Sequence, residues 1–170
     1  MGSTPGPALV RDASADHDAA ACAAIYAPYV VDTTVSFEEE PPDPSEMGRR
    51  ISAAQERHAW LVAERGGRVV GFAYAGAFRS RAAYRHTCEV SVYVEAGERG
   101  SGVGRALYAA LLDRMRVAGM RLAVAGATVP NEASERLHHA LGFEVVGTFR
   151  EVGFKRGSWC DVRWFQKPLG

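Results

Sequence analysis

A glycine-rich loop lies between a strand-like and a helix-like segment at residues 99–104, which read RGSGVG. The segment before it, TCEVSVYV (87–94), is typical of a β-strand, and the segment after it, ALYAALLDRMRVAG (106–119), is typical of an α-helix. Glycines lack a Cβ atom, so main-chain N–H groups can approach a ligand closely. The positive end of the helix dipole points into the same space. This order of elements predicts a phosphate-binding site that needs no cationic side chain.

A basic segment, FRSRAAYR (78–85), directly precedes the strand-like residues. It stands out because the chain as a whole has 20 basic and 20 acidic residues and no net charge. Arginine binds carboxylate and phosphinate groups through two parallel hydrogen bonds. We therefore expect part of this segment to bind an anionic small molecule. For at least one of Arg79, Arg81 and Arg85 we expect only an ordinary charge on a surface loop.

The composition argues against several classes of protein. Zero net charge is atypical of a general nucleic-acid binder or of a protein that binds anionic membranes. The three cysteines form no CxxC pair, so we expect no zinc or other metal site and no disulfide framework. No signal peptide is evident, and no apolar run approaches the ~20 residues that cross a bilayer. We expect a cytoplasmic protein with reduced thiols.

The remaining segments must position these groups. We predict a flexible tail at residues 1–7 and a single domain at residues 8–170. Alternation in the strand 87–94 places Glu89, Ser91 and Tyr93 on one face and the apolar residues on the other. We predict three further helices: one that starts at Ser14 or Asp16 and kinks or ends at Pro28, one at 44–58, and one at 131–142 that is capped by Asn131. The further predicted strands are 8–11, a hairpin of 60–64 and 68–78, 121–129, 143–154 and 159–166, and the stretch 33–37 is β-prone.

This pattern predicts a mixed α/β fold. Mostly antiparallel strands come first, followed by a strand–helix–strand unit over residues 87–129 that would be parallel and right-handed. The two strands around that unit would separate where the strand order changes. Open α/β sheets bind ligands at such a point.

The order of elements, together with RGSGVG (99–104) and NEASERLHHALGF (131–143), resembles the GNAT acetyltransferase superfamily, whose loop follows the pattern R/Q-x-x-G-x-G/A. Two longer segments narrow the resemblance. TTVSFEEEP (33–41) and GFAYAGAFRSRAAYRHTCEVSVYV (71–94) are similar to phosphinothricin N-acetyltransferases and to their relatives for methionine sulfone and methionine sulfoximine. The resemblance covers residues 8–168, which is nearly the whole chain.

The resemblance implies a GNAT-like, mostly antiparallel sheet of six or seven strands with about four helices. Strands 87–94 and 121–128 would splay into a V that holds acetyl-CoA, the cosubstrate, without a metal. The pantetheine arm would pair with the first strand like an added strand, and the diphosphate would lie on the glycine loop. The implied acetyl-CoA contacts are Val92, Tyr93, Val94, Arg99, Gly100, Ser101, Gly102, Val103, Gly104, Arg105 and Asn131.

Glu89 matches the catalytic glutamate of the family. It would remove a proton from the acceptor amine, directly or through a water molecule. Burial among apolar neighbours would raise its pKa toward a useful range. A strand glutamate without this resemblance would be interpreted as an ordinary surface carboxylate.

His138 occupies the place of a tyrosine in the family pattern L-Y-x-x-x-G-F, where the phosphinothricin branch also has histidine. It would give a proton or a hydrogen bond to the thiolate leaving group, and a role in removing the proton from the amine stays open. The thioester carbonyl would be polarised by a main-chain N–H near Val92. We expect the neighbouring His139, about 100° further around the helix, to face solvent.

The resemblance also implies a substrate site on the other side of the V. Its stretch of substrate contacts matches Ala82, Ala83 and Tyr84, and its covering aromatic residue matches Phe37. Among the departures from the branch, Val90 replaces a serine and Cys160 replaces a histidine, which leaves the identity of the acceptor open. Together with Arg79 and Arg81, the implied substrate contacts are Phe37, Ala82, Ala83 and Tyr84.

The resulting hypothesis is an acetyl-CoA-dependent N-acetyltransferase that acts on a small amino acid by direct transfer in a ternary complex. Phosphinothricin, methionine sulfoximine and methionine sulfone are the candidate acceptors, and the resemblance implies a homodimer. One alternative is a GNAT enzyme for protein N-termini, polyamines or aminoglycosides. The other is a non-catalytic acyl-CoA-binding regulatory module. A nucleotide-binding oxidoreductase is disfavoured because no acidic ribose partner follows a second strand.

Overall fold

A seven-stranded sheet forms the centre of the structure, a computed structural model that describes residues 6–170. Its strands are β1 (Leu9–Asp12), β2 (Trp60–Arg65), β3 (Arg68–Ala77), β4 (Thr87–Val94), β5 (Leu122–Val129), β6 (Glu144–Lys155) and β7 (Ser158–Pro168). They lie in the order β1-β2-β3-β4-β5-β7-β6, and every neighbouring pair is antiparallel except β4–β5, which is parallel. The predicted mixed, mostly antiparallel sheet is confirmed.

Four α-helices cover the two faces of this sheet. They are α1 (Ala15–Asp32), α2 (Pro44–Gln55), α3 (Val103–Val117) and α4 (Glu132–Ala140), and short 3₁₀ turns occur at Ala82–Tyr84 and Ala96–Glu98. Helices α1 and α2 pack with Trp60 and Phe72 on one face of the sheet. Helix α3 packs on the other face, with Leu107, Leu111 and Met115 fully buried.

The alternation predicted for β4 is also confirmed. Cys88 and Val90 are buried in the core under α3, whereas Tyr93 packs against the core under α1 and α2. Glu89 and Ser91 lie on the α1 side with Tyr93, because successive side chains of a strand point to opposite faces. The catalytic candidate on β4 therefore faces α1 and α2 rather than the helix that follows the glycine loop.

Helix ends follow the expected capping chemistry. The Ser14 hydroxyl accepts the His17 N–H, the Asp43 carboxylate accepts the Glu46 N–H, and the Asn131 amide oxygen accepts the Ser134 N–H. Helix α2 ends at Gln55, three residues before the predicted end.

Two predictions near α1 are wrong in part. Pro28 lies inside α1 and does not end it, because the carbonyl that loses its partner belongs to Ala24, which is exposed to water. The segment 33–37 forms no strand. Side chains rather than a neighbouring strand bind two of its carbonyl groups, with Thr128 bound to that of Thr34 and Lys155 bound to that of Ser36. Residues 1–5 of the predicted tail lie outside the described residues, and Gly6 and Pro7 are exposed and belong to no helix or strand.

Candidate functional site

The two parallel strands at the centre of the sheet separate soon after they meet. Only three residue pairs join β4 to β5, and the last pair is Glu89 with Val124. Beyond it, residues 90–94 and 125–129 are unpaired with each other, while β5 stays paired with β7 along its whole length. The predicted V-shaped splay is thus present, and Glu89 lies at its closed end.

The main chain of β4 presents polar groups to the inside of this splay. Antiparallel pairs alternate between bonded and non-bonded positions, and the Glu95 N–H donates to the Val70 carbonyl of β3. The N–H and C=O groups of Val90, Val92 and Val94 consequently point away from β3. An extended ligand in the splay would meet the N–H of Val92.

Tyr93 is placed differently from its two neighbours. The same alternation directs its main-chain groups to β3, where its register partner is Phe72. Its ring packs edge-on against Tyr26 and Tyr29, with centroid distances of 4.8 and 5.1 Å. This geometry does not support the predicted contact of Tyr93 with a ligand in the splay, and instead assigns Tyr93 to the support of the strand.

The glycine loop has the geometry of an anion site. Gly100 and Gly102 have φ angles of 78° and 84°, a region that favours glycine. The first hydrogen bond of α3 runs from the Ala106 N–H to the Gly102 carbonyl. The N–H groups of Val103 and the two residues after it precede this bond, so they have no acceptor within the helix. No described side chain caps the helix at Gly102. These N–H groups and the helix dipole can hold a diphosphate without rearrangement.

Polar residues flank this loop. Arg99 is exposed, and its guanidinium carbon lies 5.6 Å from the centroid of the Tyr29 ring. Arg105 is also exposed, on the first turn of α3, whereas the Ser101 hydroxyl donates to the Glu98 carbonyl within the loop. Asn131 follows β5 and caps α4 through its amide oxygen, which leaves its amide NH₂ as a donor.

Glu89 is half-buried on the α1 side of β4. Burial raises the pKa of its carboxyl group above the ordinary value of a glutamate. Its register partner on β3 is Gly76, which has no side chain to cover it. A partly dehydrated carboxylate with an open approach is suited to accept a proton.

A cavity of about 420 Å³ lies between α2 and strands β2 and β3 and reaches Gly76, the register partner of Glu89. Its walls are mainly apolar and aromatic. The charged residues that line it lie on α2 and in the turn after α2. The sequence analysis did not single out these residues. The lining includes Arg50, Arg57, His58, Trp60, Tyr74 and Gly76.

The basic segment forms a second, open depression of about 410 Å³, lined by Arg79, Ser80, Arg81 and Tyr84. The Arg79 guanidinium lies over the rings of Phe78 and Tyr84, with its carbon at 4.9 and 5.5 Å from their centroids. Within residues 6–170, neither Arg79 nor Arg81 forms a salt bridge. Ala82 and Ala83 are exposed in the turn of this segment. Two free guanidinium groups beside aromatic rings can receive an anionic group.

His138 lies on the opposite face of the sheet from Glu89. Its side chain is buried, and its ring stacks on Phe165 at a centroid distance of 4.6 Å. Nδ1 is 2.7 Å from the Ser134 carbonyl, which can only accept, so Nδ1 carries the proton of the neutral ring. Burial lowers the pKa of His138, which favours that neutral form. His139 is exposed, as predicted.

Tyr108 connects His138 to the splay and was missed by the sequence analysis. Its fully buried hydroxyl lies 3.4 Å from Nε2 of His138 and donates to the Val90 carbonyl at 3.0 Å. Val90 is the first residue of β4 past the last pair with β5. The only sequence feature that could have indicated Tyr108 is a hydroxyl on the apolar stripe of the helix that begins at the glycine loop.

Phe37 lies in an irregular segment that crosses β5 on the Glu89 side. The Thr128 hydroxyl of β5 donates to the Thr34 carbonyl at 2.7 Å. The Phe37 ring lies against Gly153 of β6, where a Cβ atom would overlap it. The structure therefore places Phe37 beyond the β5 arm of the splay, on the same face as the carboxylate.

Within residues 6–170, the cysteines and the other potential metal ligands form no cluster. The thiols of Cys22, Cys88 and Cys160 are free and buried. Across residues 6–170, no three side chains of His, Cys, Asp or Glu lie close enough together to hold a metal ion. None of the helices in the described part of the chain has the length and apolar composition to span a membrane.

Comparison with known proteins agrees with this geometry. Residues 12–164 match the family model described as an acetyltransferase (GNAT) domain. A phosphinothricin N-acetyltransferase of Streptomyces viridochromogenes is 42% identical over 163 residues, which cover 96% of this chain and 88% of that protein. An L-methionine sulfoximine/L-methionine sulfone acetyltransferase of Pseudomonas paraeruginosa is 38% identical over 164 residues, with 95% of each chain covered.

A solved structure shows the same fold. It is that of a GNAT superfamily phosphinothricin acetyltransferase from Sinorhizobium meliloti in complex with acetyl-CoA. It superposes with a TM-score of 0.92 at 39% identity, over 97% of this chain and 90% of that one.

Proposed function

The chain belongs to the GNAT acetyltransferase family, and on this premise we propose that it transfers the acetyl group of acetyl-CoA to the amine of a small amino acid. One observation carries the proposal. A half-buried glutamate with a raised pKa lies at the closed end of a splay whose open end meets a glycine loop at a helix N-terminus. This arrangement joins a base for the amine to a site for a diphosphate.

The residues of the loop and of β4 would bind and orient acetyl-CoA. The N–H groups of residues 102–105 would hold the diphosphate, and Val92 and Val94 would pair with the pantetheine arm. Bound in this way, acetyl-CoA supplies an activated acetyl group as a thioester. The Val92 N–H would donate to the thioester carbonyl and so stabilise negative charge on its oxygen.

Glu89 would accept a proton from the acceptor ammonium and leave a neutral amine. Its raised pKa brings its proton affinity closer to that of an amine than an exposed carboxylate would offer. The amine then attacks the carbonyl directly, without a covalent enzyme intermediate. Both substrates must therefore be bound at once, in a ternary complex.

His138 would act on the side of the leaving thiolate. It lies on the opposite face from Glu89, which favours this role over help in removing the proton from the amine. Because its Nε2 faces the Tyr108 hydroxyl, we assign it a positioning role that is exerted through Tyr108.

The acceptor side fits an amino acid with an anionic or oxidised side chain. Arg79 and Arg81 line an open depression and have no acidic partner among the described residues, so they can bind a carboxylate or a phosphinate. Polyamines and aminoglycosides are cations and would be repelled there. The names of the relatives from Streptomyces and Pseudomonas support phosphinothricin, methionine sulfoximine and methionine sulfone as the first acceptors to test.

We further propose a homodimer that resides in the cytoplasm and binds neither nucleic acid nor membranes. The dimer is supported by exposed apolar side chains on the β6–β7 hairpin. The zero net charge of the chain supports the absence of a nucleic-acid or membrane partner.

The test is release of the free thiol of coenzyme A from acetyl-CoA with a panel of acceptors. We expect turnover with phosphinothricin, methionine sulfoximine or methionine sulfone, and none with spermidine or with the N-terminus of a peptide. Turnover with spermidine or the peptide, and with none of the three amino acids, would instead indicate a GNAT enzyme for polyamines or protein N-termini. Binding of acetyl-CoA without any turnover would indicate a regulatory module.

A further inference from the structure

Lys155 is a buried lysine that the proposed reaction does not use. The chain has only two lysines against eighteen arginines, and Lys155 is 8% exposed. Its Nζ donates to the carbonyl of Val30 and to the carbonyl of Ser36, each at 2.6 Å. A buried cation that binds two main-chain carbonyls fixes both segments at once.

The first of these carbonyls belongs to the last turn of α1. The last four carbonyls of a helix have no partner within the helix, and a positive charge there is favourable. Helix α1 has no basic residue in its last turn. Lys155 and Arg156 instead reach it from the β6–β7 hairpin, and they bind the carbonyls of Val30 and Val31. The hairpin thus provides the C-terminal cap of α1.

The second carbonyl belongs to the segment 33–38, which has neither helix nor strand bonds and is held by side chains. The Ser36 hydroxyl bonds to the Tyr26 hydroxyl at 2.7 Å. The Glu38 carboxylate accepts from Tyr26 at 3.0 Å and from Arg50 at 2.7 Å. Lys155 connects the segment to β6 of the sheet. The conformation of the segment is therefore fixed by side chains of α1, α2 and β6 together.

The last turn of α1 and the segment 33–38 together bridge the splay on the side of the base. Tyr29, in that last turn, donates its hydroxyl to the Val94 carbonyl of β4, and the Thr34 carbonyl accepts the Thr128 hydroxyl of β5. Phe37 extends from the bridge against Gly153. The bridge and Phe37 thus lie on the same face of the sheet as Glu89, the face from which an acceptor would approach this carboxylate.

We propose that Lys155 is a positioning residue for the acceptor amino acid, because it fixes the segment that places Phe37 beside the acceptor side of the splay. The inference rests on the proposed function. It assigns to the hairpin a task in acceptor binding rather than in acetyl-CoA binding. Lysine suits this task because its compact ammonium group can direct separate donors to two converging carbonyls, whereas arginine presents a planar fork.

The experiment compares Lys155→Met with Lys167→Met, which removes the only other lysine. For Lys155→Met we expect the KM of the acceptor to rise roughly tenfold or more, since small misplacements of binding groups are costly. The KM of acetyl-CoA should stay unchanged, because the glycine loop and the β4 main chain are intact. Lys167→Met should leave both KM values at the level of the parent protein.

Hydrogen exchange gives a second readout on the same variants. In Lys155→Met, exchange of the amides of residues 33–38 should become faster while that of β4 stays protected. If Lys155→Met does not fold, Lys155→Gln keeps an uncharged NH₂ group as a donor and should show the same changes to a smaller degree. A lower melting temperature with an unchanged acceptor KM would overturn the inference. So would equal effects on both KM values.

The parent protein separates this inference from the function on which it rests. Failure of the parent to acetylate any amino acid would refute the proposed function, and this inference with it. Turnover by the parent with an acceptor KM that Lys155→Met does not change would refute the inference alone.

Discussion

At the scale of single residues, Glu89 differs from the other carboxylates near the splay by its lack of a partner. Burial raises the pKa of Glu38, but hydrogen bonds from Arg50 and Tyr26 lower it overall. A hydrogen bond from Arg68 likewise lowers the pKa of Glu95. Glu89 has no such donor within residues 6–170, so burial alone acts on it and its pKa rises. Among these carboxylates, Glu89 is therefore the one that combines partial burial with a raised pKa.

Glu89→Gln should lower kcat/KM for the acceptor by about 10²–10⁴-fold with little change in the affinity for acetyl-CoA, as expected for loss of a general base. In the parent protein the rate should fall as the pH drops toward the pKa of Glu89, which lies above the ordinary value of about 4.3. This acidic limb should be absent from the variant. Glu95→Gln, directly after the same strand, serves as the control, and both variants are compared by steady-state rates measured across pH. Full activity of Glu89→Gln at every pH would remove Glu89 from the mechanism.

His138 gives a prediction for the pH dependence of stability. Its pKa in the folded protein is lowered, so the unfolded chain binds the proton at higher pH than the folded chain. The free energy of unfolding should therefore decrease as the pH falls from about 6.5, the ordinary pKa of histidine, through the lowered value. His138→Gln should remove part of this decrease, while His139→Gln should not. Urea unfolding at several pH values measures this change in the free energy of unfolding. Identical plots of that free energy against pH for the two variants would show that His138 is not buried as a neutral group.

At the scale of elements, the junction of β4, the glycine loop and α3 combines two kinds of glycine. Gly100 and Gly102 have positive φ angles, so a side chain there would strain the main chain whether or not a ligand binds. Gly104 has an ordinary φ angle, and a Cβ atom there would lie 3.7 Å from Val94 and 3.9 Å from Leu137, which is normal contact. A substitution of Gly104 by alanine can therefore disturb ligand binding without straining the main chain.

Gly104→Ala should leave the protein folded and stabilise α3 by up to about 1 kcal/mol, because alanine is the better helix former. The same methyl group would meet the diphosphate, so the Kd for acetyl-CoA should rise by roughly tenfold or more. Gly97→Ala lies in the turn just before the loop, in open space, and is the matched control. Calorimetric titration and thermal unfolding give the two quantities. An unchanged Kd in Gly104→Ala would show that the diphosphate does not lie on this helix N-terminus.

At the scale of the whole molecule, the two edge strands of the sheet differ in length, since β1 has only four residues. Strand β6 is twelve residues long and forms an edge, and its hairpin with β7 exposes large apolar side chains. Phe154 and Trp159 are 58% and 63% exposed and contact each other edge-on at 5.0 Å. Long apolar edges invite association. The same hairpin carries the buried Lys155, which binds the segment 33–38. Association through the hairpin would therefore also stabilise the position of that segment.

We expect light scattering at micromolar concentration to give the mass of a homodimer. Phe154→Glu should shift the protein toward the monomer, because a charge would be buried in the interface. Val117→Glu, an exposed apolar position on α3, is the control and should leave the dimer intact. A monomer mass for the parent protein would contradict both the dimer and the interface assigned to the outer face of the hairpin.

The sequence by itself determined the features that depend on local pattern. Alternation in 87–94 put Glu89 on the opposite face from Cys88 and Val90, and the glycine spacing in 99–104 located the start of a helix with free N–H groups. The capping residue Asn131 was likewise evident, because its side chain bonds only three residues away. Periodicity, glycine conformation and caps act over a few residues, so a single sequence reveals them. The family resemblance then supplied the roles of these residues.

Only the tertiary structure decided the features that join distant residues. The extent of the splay depends on where β5 turns toward β7, and the place of Tyr108 depends on how α3 packs beneath β4. The segment 33–37 is rich in residues that favour strands, yet it forms none because Lys155 and Thr128 hold its carbonyls instead. The cap of α1 comes from a residue 125 positions away from Val30. No local pattern encodes such contacts, since they exist only after the chain has packed.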